Sequence, residues 1–321
     1  MTVTADQVGR FQEAFRALTD NVAQVVLGKR HVIELAFTAM IAEGHLLLED
    51  VPGTGKTSLA RAMGQSVDGT LSRIQFTPDL LPGDVTGITV YDQRRGEFDF
   101  HQGPVFANIV LADEINRASP KTQSALLEVM EEGHVTIDGV SRPVGSPFLV
   151  VATQNPIEQA GTYRLPEAQL DRFLMKTSLG YPDHAATVRI LAGTAQVRTD
   201  VEPVVSLDGV AGMSSLARDV YVSPVILDYL ARIVDATRAA AEVRLGVSVR
   251  GALGLTRAAK AWAIAHGREF VTPDDITALA EPVLAHRLVL DPEAEFDGVS
   301  ARAVIGQVLL DVTPPTQREQ G

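Results

Sequence analysis

The sequence predicts an α/β fold: a three-layer αβα P-loop domain with a parallel sheet, followed by a small all-helical domain. Short apolar runs typical of buried strands alternate with helical patterns about five times up to residue 179. The first run leads directly into a glycine-rich turn and a helix. After residue 182 convincing strand patterns disappear and helical patterns continue. We therefore expect the αβα core at 1–195, the helical domain at 196–315 and a flexible tail at 316–321.

Composition and charge narrow the class of protein. The chain has 321 residues, 45% of them apolar and 21% charged, and no cysteine, which excludes disulfides, thiolate metal sites and cysteine nucleophiles. No apolar run reaches the roughly 18 residues of a membrane span, and the N-terminus lacks the order of a signal peptide. We expect a cytoplasmic protein with no membrane span. The formal charge of −12 argues against nonspecific nucleic-acid binding, although a local basic patch stays open.

Two helices are predicted before the first strand. Thr4 and Gln7 have the spacing of a capping box, and apolar residues then recur at helical spacing up to Val22. This pattern fits a partner-binding helix as well as a packed one, and we favour packing. A second helix precedes Gly44, with Gly28 before its start.

The first strand, at 46–48, leads into a phosphate-binding loop. Glycines allow backbone N–H groups to turn toward phosphate oxygens, and the helix at 58–63 presents its positive N-terminal end. Lys56 is expected to reach the β- and γ-phosphates, and the Thr57 hydroxyl to ligate Mg²⁺. The candidate nucleotide-binding residues of this loop are Pro52, Gly53, Thr54, Gly55, Lys56, Thr57 and Ser58. One position departs from the general pattern, because Asp50 stands where that pattern has glycine.

Two further strands are expected to end in polar side chains beside this loop. The strand at 108–114 ends in Asp113 and Glu114, which could hold Mg²⁺ and activate a water molecule, respectively. The strand at 148–153 is followed by Asn155, which either positions that water or caps a turn before proline. Ligands of parallel sheets bind at the carboxyl ends of the strands, so these residues are expected to meet.

The remaining patterns complete the two domains. Residues 84–102 and 133–144 each predict a β-hairpin, the second on the strength of Asp138-Gly139. A short helix at 166–173 carries Arg172 into a last strand at 173–179. The helical domain is expected to include helices that start after Ser223, Ser248 and Thr272.

These motifs together resemble the AAA+ ATPases, and longer stretches closely resemble the MoxR family. The resemblance runs from about residue 20 to residue 315. Its most specific parts are LEDVPG at 48–53, ADEINRA at 112–118, ATQNP at 152–156 and LPEAQLDRF at 165–173. The family accepts an acidic residue at position 50. Val249 departs from it, because the family usually has proline there.

The resemblance implies a fold and a set of roles. The sheet would follow the AAA+ strand order, the helical domain would be a lid, and ATP or ADP with Mg²⁺ would bind at the loop. Glu114 would be the catalytic base and Asn155 sensor 1. Arg172 would be an arginine finger acting on a neighbouring subunit, and Arg250 a sensor-2 arginine that contacts nucleotide. Thr57 and Asp113 would hold the metal, and Gly28 would lie by the adenine, although it is equally a simple turn glycine.

The resemblance also implies partners. Family members commonly form hexameric rings and often work with a von Willebrand factor A-domain protein, as chaperone-like remodellers or metal-insertion helpers. Both hairpins are family inserts expected to face partners or a central pore. Three alternatives stay open: a DNA-dependent AAA+ motor, a binding module switched by ATP with little turnover, and a small-molecule kinase. The sequence does not identify the client protein.

Overall fold

A computed structural model describes residues 3–156, 161–192 and 200–315. The predicted tail at 316–321 and the predicted domain boundary at 195/196 lie outside these residues. The first part of the chain contains helices α1 (Ala5–Ala23), α2 (Arg30–Ile41), α3 (Lys56–Ser66), α4 (Pro82–Thr86), α5 (Pro120–Glu132), α6 (Glu167–Leu170) and α7 (His184–Leu191). Its strands are β1 (Leu46–Glu49), β2 (Leu71–Gln75), β3 (Gly87–Asp92), β4 (Glu97–Gln102), β5 (Ile109–Asp113), β6 (His134–Ile137), β7 (Val140–Pro143), β8 (Leu149–Gln154) and β9 (Met175–Thr177).

The second part is helical apart from one short ribbon. It contains α8 (Leu207–Arg218), α9 (Pro224–Ala239), β10 (Val243–Leu245), α10 (Val249–Ala265), α11 (Pro273–Leu284), β11 (Val289–Leu290), α12 (Pro292–Phe296) and α13 (Ala301–Asp311). The helix starts predicted after Ser223, Ser248 and Thr272 are confirmed, and each of these residues is an N-cap. The strands β10 and β11 form an antiparallel pair that the sequence analysis did not predict. The expectation of an all-helical second domain is corrected by this pair.

A five-stranded parallel sheet forms the centre of the first part, in the order β2-β5-β8-β1-β9. Leu46 of β1 lies opposite both Val151 of β8 and Met175 of β9. The strands run in the same direction, so their first residues lie along one edge of the sheet and their last residues along the opposite edge. We call the edge where the strands start the N-terminal edge and the edge where they end the C-terminal edge. The parallel sheet predicted from the apolar runs is confirmed.

Helices cover both faces of this sheet, and the side chains of β1 show why its sequence is continuously apolar. Leu46 and Leu48 belong to one hydrophobic cluster, and Leu47 belongs to a second cluster on the other face. Successive side chains of a strand point to opposite faces, so a strand covered on both sides needs apolar residues throughout. The first cluster continues without a break into the second part of the chain, through Phe15 of α1 and Trp262 of α10.

Two antiparallel hairpins stand apart from the sheet. The strands β3 and β4 pair from Gly87↔Gln102 to Asp92↔Glu97, and β6 pairs with β7. Both hairpins were predicted from the sequence and are confirmed. They are in contact with each other, because the Arg142 guanidinium of β7 lies 4.0 Å from the ring centroid of Phe100 in β4.

Among the described residues, no helix combines the length and the apolar character that a membrane span needs.

Candidate nucleotide-binding site

A cleft of about 480 Å³ opens at the C-terminal edge of the sheet. Its walls come from the loop after β1 and from the ends of β2, β5 and β8, which are adjacent or next-but-one in the sheet. The cleft is lined by Pro52, Gly53, Thr54, Gly55, Lys56, Thr57, Arg73, Gln75, Asp113, Glu114, Thr153 and Asn155. The structure therefore brings together the predicted loop, the carboxylate pair and Asn155.

The loop after β1 has the backbone of a phosphate cradle. Gly53 and Gly55 have φ of +83° and +95°, and a Cβ built on either would meet no atom within 4 Å. Their exposed side therefore faces open space, into which an anion could fit, and the left-handed conformation favours glycine. The helix α3 begins at Lys56, so its first N–H groups and its positive end point to the same place.

Lys56 and Asp50 stabilise this loop from inside. The Lys56 ammonium lies 3.0 Å from the carbonyl oxygens of both Asp50 and Val51. The Asp50 side chain, in a residue only 4% exposed, accepts hydrogen bonds from Ser178 Oγ at 2.8 Å and from the backbone N–H groups of Leu179 at 2.6 Å and Gly180 at 2.8 Å. Asp50 thus fastens the start of the loop to the segment after β9, a role that the sequence did not indicate.

The carboxylate pair is held in place through Thr153 of β8. The Thr153 hydroxyl donates to Asp113 Oδ1 at 2.7 Å and accepts from the Glu114 N–H at 2.9 Å. Glu114 has a φ of +57°, a left-handed conformation that costs energy for a residue other than glycine. The turn at the end of β5 is therefore strained, and the bond to Thr153 helps to maintain it.

Cationic and amide groups that sequence reasoning missed surround the two carboxylates. Arg73 Nη2 lies 2.7 Å from Asp113 Oδ2, and Gln75 Nε2 donates to Glu114 Oε2 at 2.9 Å. Arg117 Nη1 also donates to Glu114 Oε2, at 3.1 Å. Arg73 and Gln75 are two residues apart on β2, which pairs with β5, so their side chains point to the same face of the sheet. This spacing is the sequence signal from which their position beside the carboxylates could have been predicted.

The donor set at this cleft suits a hard divalent cation. The Thr57 hydroxyl belongs to the first turn of α3 and the Asp113 carboxylate to the end of β5, and both residues line the cleft. Mg²⁺ typically takes one or two protein oxygens together with substrate phosphates and water. Thr57 and Asp113 would hold it, and the ion would then offset negative charge on the β- and γ-phosphates.

Two predicted residues lie away from the described walls of this cleft. Ser58 is exposed on α3 and is absent from the lining. Gly28 has a φ of +72°, and a Cβ there would lie 3.2 Å from Asp183 Oδ2, in the segment that follows β9. Its positive φ supports the reading as a turn glycine, and its contact with adenine stays a prediction.

Arg172 and Arg250 lie outside this cleft and share one ion-pair partner. Both guanidinium groups contact the carboxylate of Glu131 at the end of α5, at 3.0 Å for Arg172 and 2.9 Å for Arg250. Glu131 follows Met130, whose carbonyl oxygen is 2.9 Å from Nε2 of His45, the residue before β1. The pair of arginines therefore lies at the N-terminal edge.

The parallel register separates these arginines from the cleft. The N–H of Leu174 donates to the His45 carbonyl at 2.9 Å, which puts Arg172 before the start of β1, whereas the phosphate loop follows its end. Five residues of extended chain from His45 to Asp50 span about 16 Å. Arg250 was expected among the nucleotide-binding residues of the cleft, but it lies beside Arg172 instead.

Comparison with known proteins agrees with this architecture. Residues 45–175 match the model of the ATPase family associated with various cellular activities (AAA), and residues 235–308 match an AAA lid domain. The chain is 47% identical to the uncharacterized protein YeaC of Bacillus subtilis, over 93% of this chain and 94% of YeaC. It is 43% identical to the chaperone MoxR1 of Mycobacterium tuberculosis, over 92% of this chain and 80% of MoxR1.

The chain belongs to the MoxR family of AAA+ ATPases. A crystal structure of a protein from Cytophaga hutchinsonii has the same fold, with a TM-score of 0.90 and 38% identity over 97% of this chain and 98% of that one. As a MoxR-type AAA+ ATPase, the chain converts ATP and water to ADP and phosphate. The cleft at the C-terminal edge contains the phosphate loop and the acidic pair that such chemistry needs.

Proposed function

We propose that this MoxR-family chain hydrolyses Mg-ATP at the interfaces of a ring of identical subunits, commonly six. Each cleft would receive Arg172 and Arg250 from the neighbouring subunit. The observation that carries this proposal is the position of both arginines at the N-terminal edge, on the far side of the sheet from the chain's own cleft. A head-to-tail contact brings opposite edges of two copies together, and repeated contacts of that kind form a ring when the rotation between neighbours closes.

The residues of the cleft have distinct roles in this proposal. Lys56 and the N–H groups of α3 bind the β- and γ-phosphates, and Asn155 orients the attacking water. Glu114 accepts the proton of that water as its oxygen bonds to the γ-phosphorus and the bond to ADP breaks. Arg172 and Arg250 of the neighbour offset the charge that builds on the transferred phosphoryl group.

The output proposed for this hydrolysis is chaperone-like remodelling or maturation of a client protein, with metal insertion as one form of it. The name of the relative MoxR1, a chaperone, supports this role. The tip of the β3–β4 hairpin also supports it, because Tyr91 and Phe98 are 51% and 75% exposed there. A von Willebrand factor A-domain protein is the partner that we propose.

A mixing experiment tests donation in trans. We expect Arg172→Ala to bind ATP normally but to lose about 10³-fold or more of its turnover, as for other arginine fingers. Glu114→Gln should also be inactive, although it keeps its own arginines. Phosphate release should return in the mixture, since about a quarter of the interfaces in a random equal mixture join an intact cleft to an intact arginine.

The control is Arg302→Ala, which removes an arginine that is 77% exposed on the second domain and should leave turnover unchanged. Mixtures of Lys56→Ala with Glu114→Gln should stay inactive, because neither subunit has a working cleft. Absence of recovery in the mixture of Arg172→Ala and Glu114→Gln would contradict donation in trans.

A further inference from the structure

Arg287 is a buried arginine that connects the helical domain to the segment carrying Arg172. It ends the short 3-10 helix after α11, and its side chain is only 3% exposed. Its Nε donates to Asp171 Oδ1 at 2.7 Å. Its Nη2 donates to the carbonyl oxygens of Asp171 at 3.2 Å and Phe173 at 2.7 Å, and its Nη1 to that of Leu174 at 3.2 Å. One guanidinium thus holds the backbone on both sides of Arg172.

The same side chain lies against the first turn of α10, which carries Arg250. A Cβ on Gly251 would lie 2.7 Å from Arg287 Cδ, so only glycine allows this close approach. The other oxygen of Asp171 accepts a hydrogen bond at 3.1 Å from the hydroxyl of Ser248, the N-cap of α10. Arg287 and Asp171 therefore contact both short segments from which Arg172 and Arg250 extend.

The hydrogen bonds of the Arg287 guanidinium are suited to holding the segment 171–174 in one fixed geometry. A planar guanidinium offers five N–H donors in a rigid fork, which a lysine ammonium cannot reproduce. Burial lowers the pKa of Arg287, and hydrogen bonding and charge pairing with Asp171 oppose this shift. The arginine stays charged, because guanidinium groups in proteins do not lose their proton. Its bonds to the backbone are therefore charge-assisted.

We propose that Arg287 is a positioning residue that sets Arg172 and Arg250 in one fixed arrangement for use in the cleft of the neighbouring subunit. The orientation of the helical domain of one subunit would thereby control hydrolysis in the next. This inference rests on the proposed donation in trans. Arg287 itself would touch neither nucleotide nor the attacking water, because its side chain is only 3% exposed and its guanidinium is bonded to Asp171 and the backbone.

The test uses two variants that weaken the connection to different degrees. Arg287→Met removes the guanidinium but keeps an unbranched side chain. Asp171→Asn keeps the size of Asp171 but removes its charge and replaces one of its two acceptor oxygens by an NH2 donor. We expect each full-length variant to bind a fluorescent ATP analogue with unchanged affinity, while its kcat falls by about 10- to 100-fold, the cost of displacing a reacting group by about 1 Å.

Complementation separates this role from a general loss of structure. Each variant, mixed with Glu114→Gln, should recover phosphate release, because its cleft is intact and Glu114→Gln supplies well-placed arginines. Lys56→Ala has an inactive cleft but keeps its own arginines. Mixed with either variant, it should donate these arginines to the intact cleft of the variant and so restore phosphate release. A destabilised chain that cannot assemble would restore nothing in either mixture.

The matched control is Arg268→Met, because Arg268 forms its ion pair within the helical domain, with the buried carboxylate of Asp275. Its melting temperature is expected to fall while its kcat stays near wild type. The proposal fails if Asp171→Asn keeps wild-type kcat, or if Arg287→Met and Asp171→Asn are both inactive and neither is complemented. If Arg172→Ala is itself not complemented, the proposed donation in trans is wrong, and that result is recognised independently.

Discussion

The buried carboxylate of Asp50 explains how a phosphate loop can lack its first glycine. The side chain at this position points inward, to Ser178 and the N–H groups of Leu179 and Gly180, and not toward the cleft. An acid here therefore leaves the phosphate path open and joins the loop to the segment after β9. The charge is satisfied by three donors, which is the condition under which a buried carboxylate is tolerated.

We expect Asp50→Ala to lower the free energy of unfolding by about 3 kcal/mol, because it removes charge-assisted bonds and leaves buried N–H donors without an acceptor. Affinity for ATP should fall as well, since the loop loses its attachment. Urea denaturation and a nucleotide titration measure the two effects. Asp92→Ala is the control: Asp92 accepts the Arg94 N–H at 2.8 Å in a solvent-exposed hairpin turn, and its loss should cost about 1 kcal/mol or less. Equal losses in the two variants would contradict the role of Asp50.

The role of a residue could be predicted where it follows from a local sequence motif. It could not be predicted where it depends on partners that are distant in the sequence. Lys56, Thr57, Asp113 and Glu114 follow from strand ends and spacing, and all four line the cleft. Thr153 and Arg287 take their roles from partners far away in the sequence, such as Asp113 and Asp171. Spacing along one chain does not contain that information.

Helices and strands could likewise be predicted where a local sequence signal marks them, and could not where they depend on distant contacts. The capping box at Thr4 and the hairpin turn at Asp138-Gly139 are local signals, and both elements form where they were predicted. The strands β10 and β11 have only three and two residues, and their pairing depends on the helices that bring them together. Strands that short carry no readable alternation, so their absence from the prediction has a physical cause.

His45 joins three elements, and it should make stability depend on pH. Its Nδ1 accepts the Val150 N–H of β8 at 3.1 Å, while Nε2 lies 2.9 Å from the Met130 carbonyl oxygen of α5, so the neutral ring donates from Nε2. Burial is the main cause that lowers the pKa of His45 to about 4. Below pH 6.5 the unfolded chain binds a proton that the folded chain does not.

The free energy of unfolding should therefore fall as the pH is lowered from about 6.5 to about 4, by up to about 3 kcal/mol from this residue. Above pH 6.5 the residue contributes no pH dependence. Urea denaturation of wild type and His45→Gln at several pH values isolates the effect as a difference in slope. His101→Gln serves as the control, because His101 is exposed on β4. Parallel curves for wild type and His45→Gln would show that the ring is not the source.

At the scale of the whole molecule, the two groups of predicted catalytic residues lie on opposite edges of a single sheet. The cleft lies at the C-terminal edge, and Arg172 and Arg250 lie with Glu131 at the N-terminal edge. The hydrophobic cluster that runs from α1 into α10 packs the helical domain firmly against the core. Arg250 is therefore held far from the cleft of its own chain by packing as well as by its ion pair. The resemblance implied that Arg172 acts on a neighbouring subunit, but it did not reveal that Arg250 lies far from its own cleft, because that distance depends on how the two parts of the chain are packed.

Turnover per subunit should consequently rise with protein concentration. In the proposed ring, dilution would separate subunits and remove the neighbour's arginines from each cleft, whereas Lys56 and Thr57 would remain because they belong to the same chain. We expect phosphate release per subunit to fall in step with the assembled mass measured by light scattering, while affinity for ATP changes little. Arg172→Ala should show the same mass at each concentration but a low, flat turnover. If turnover per subunit stays constant while the mass falls to that of one chain, each cleft is complete by itself and the shared site is excluded.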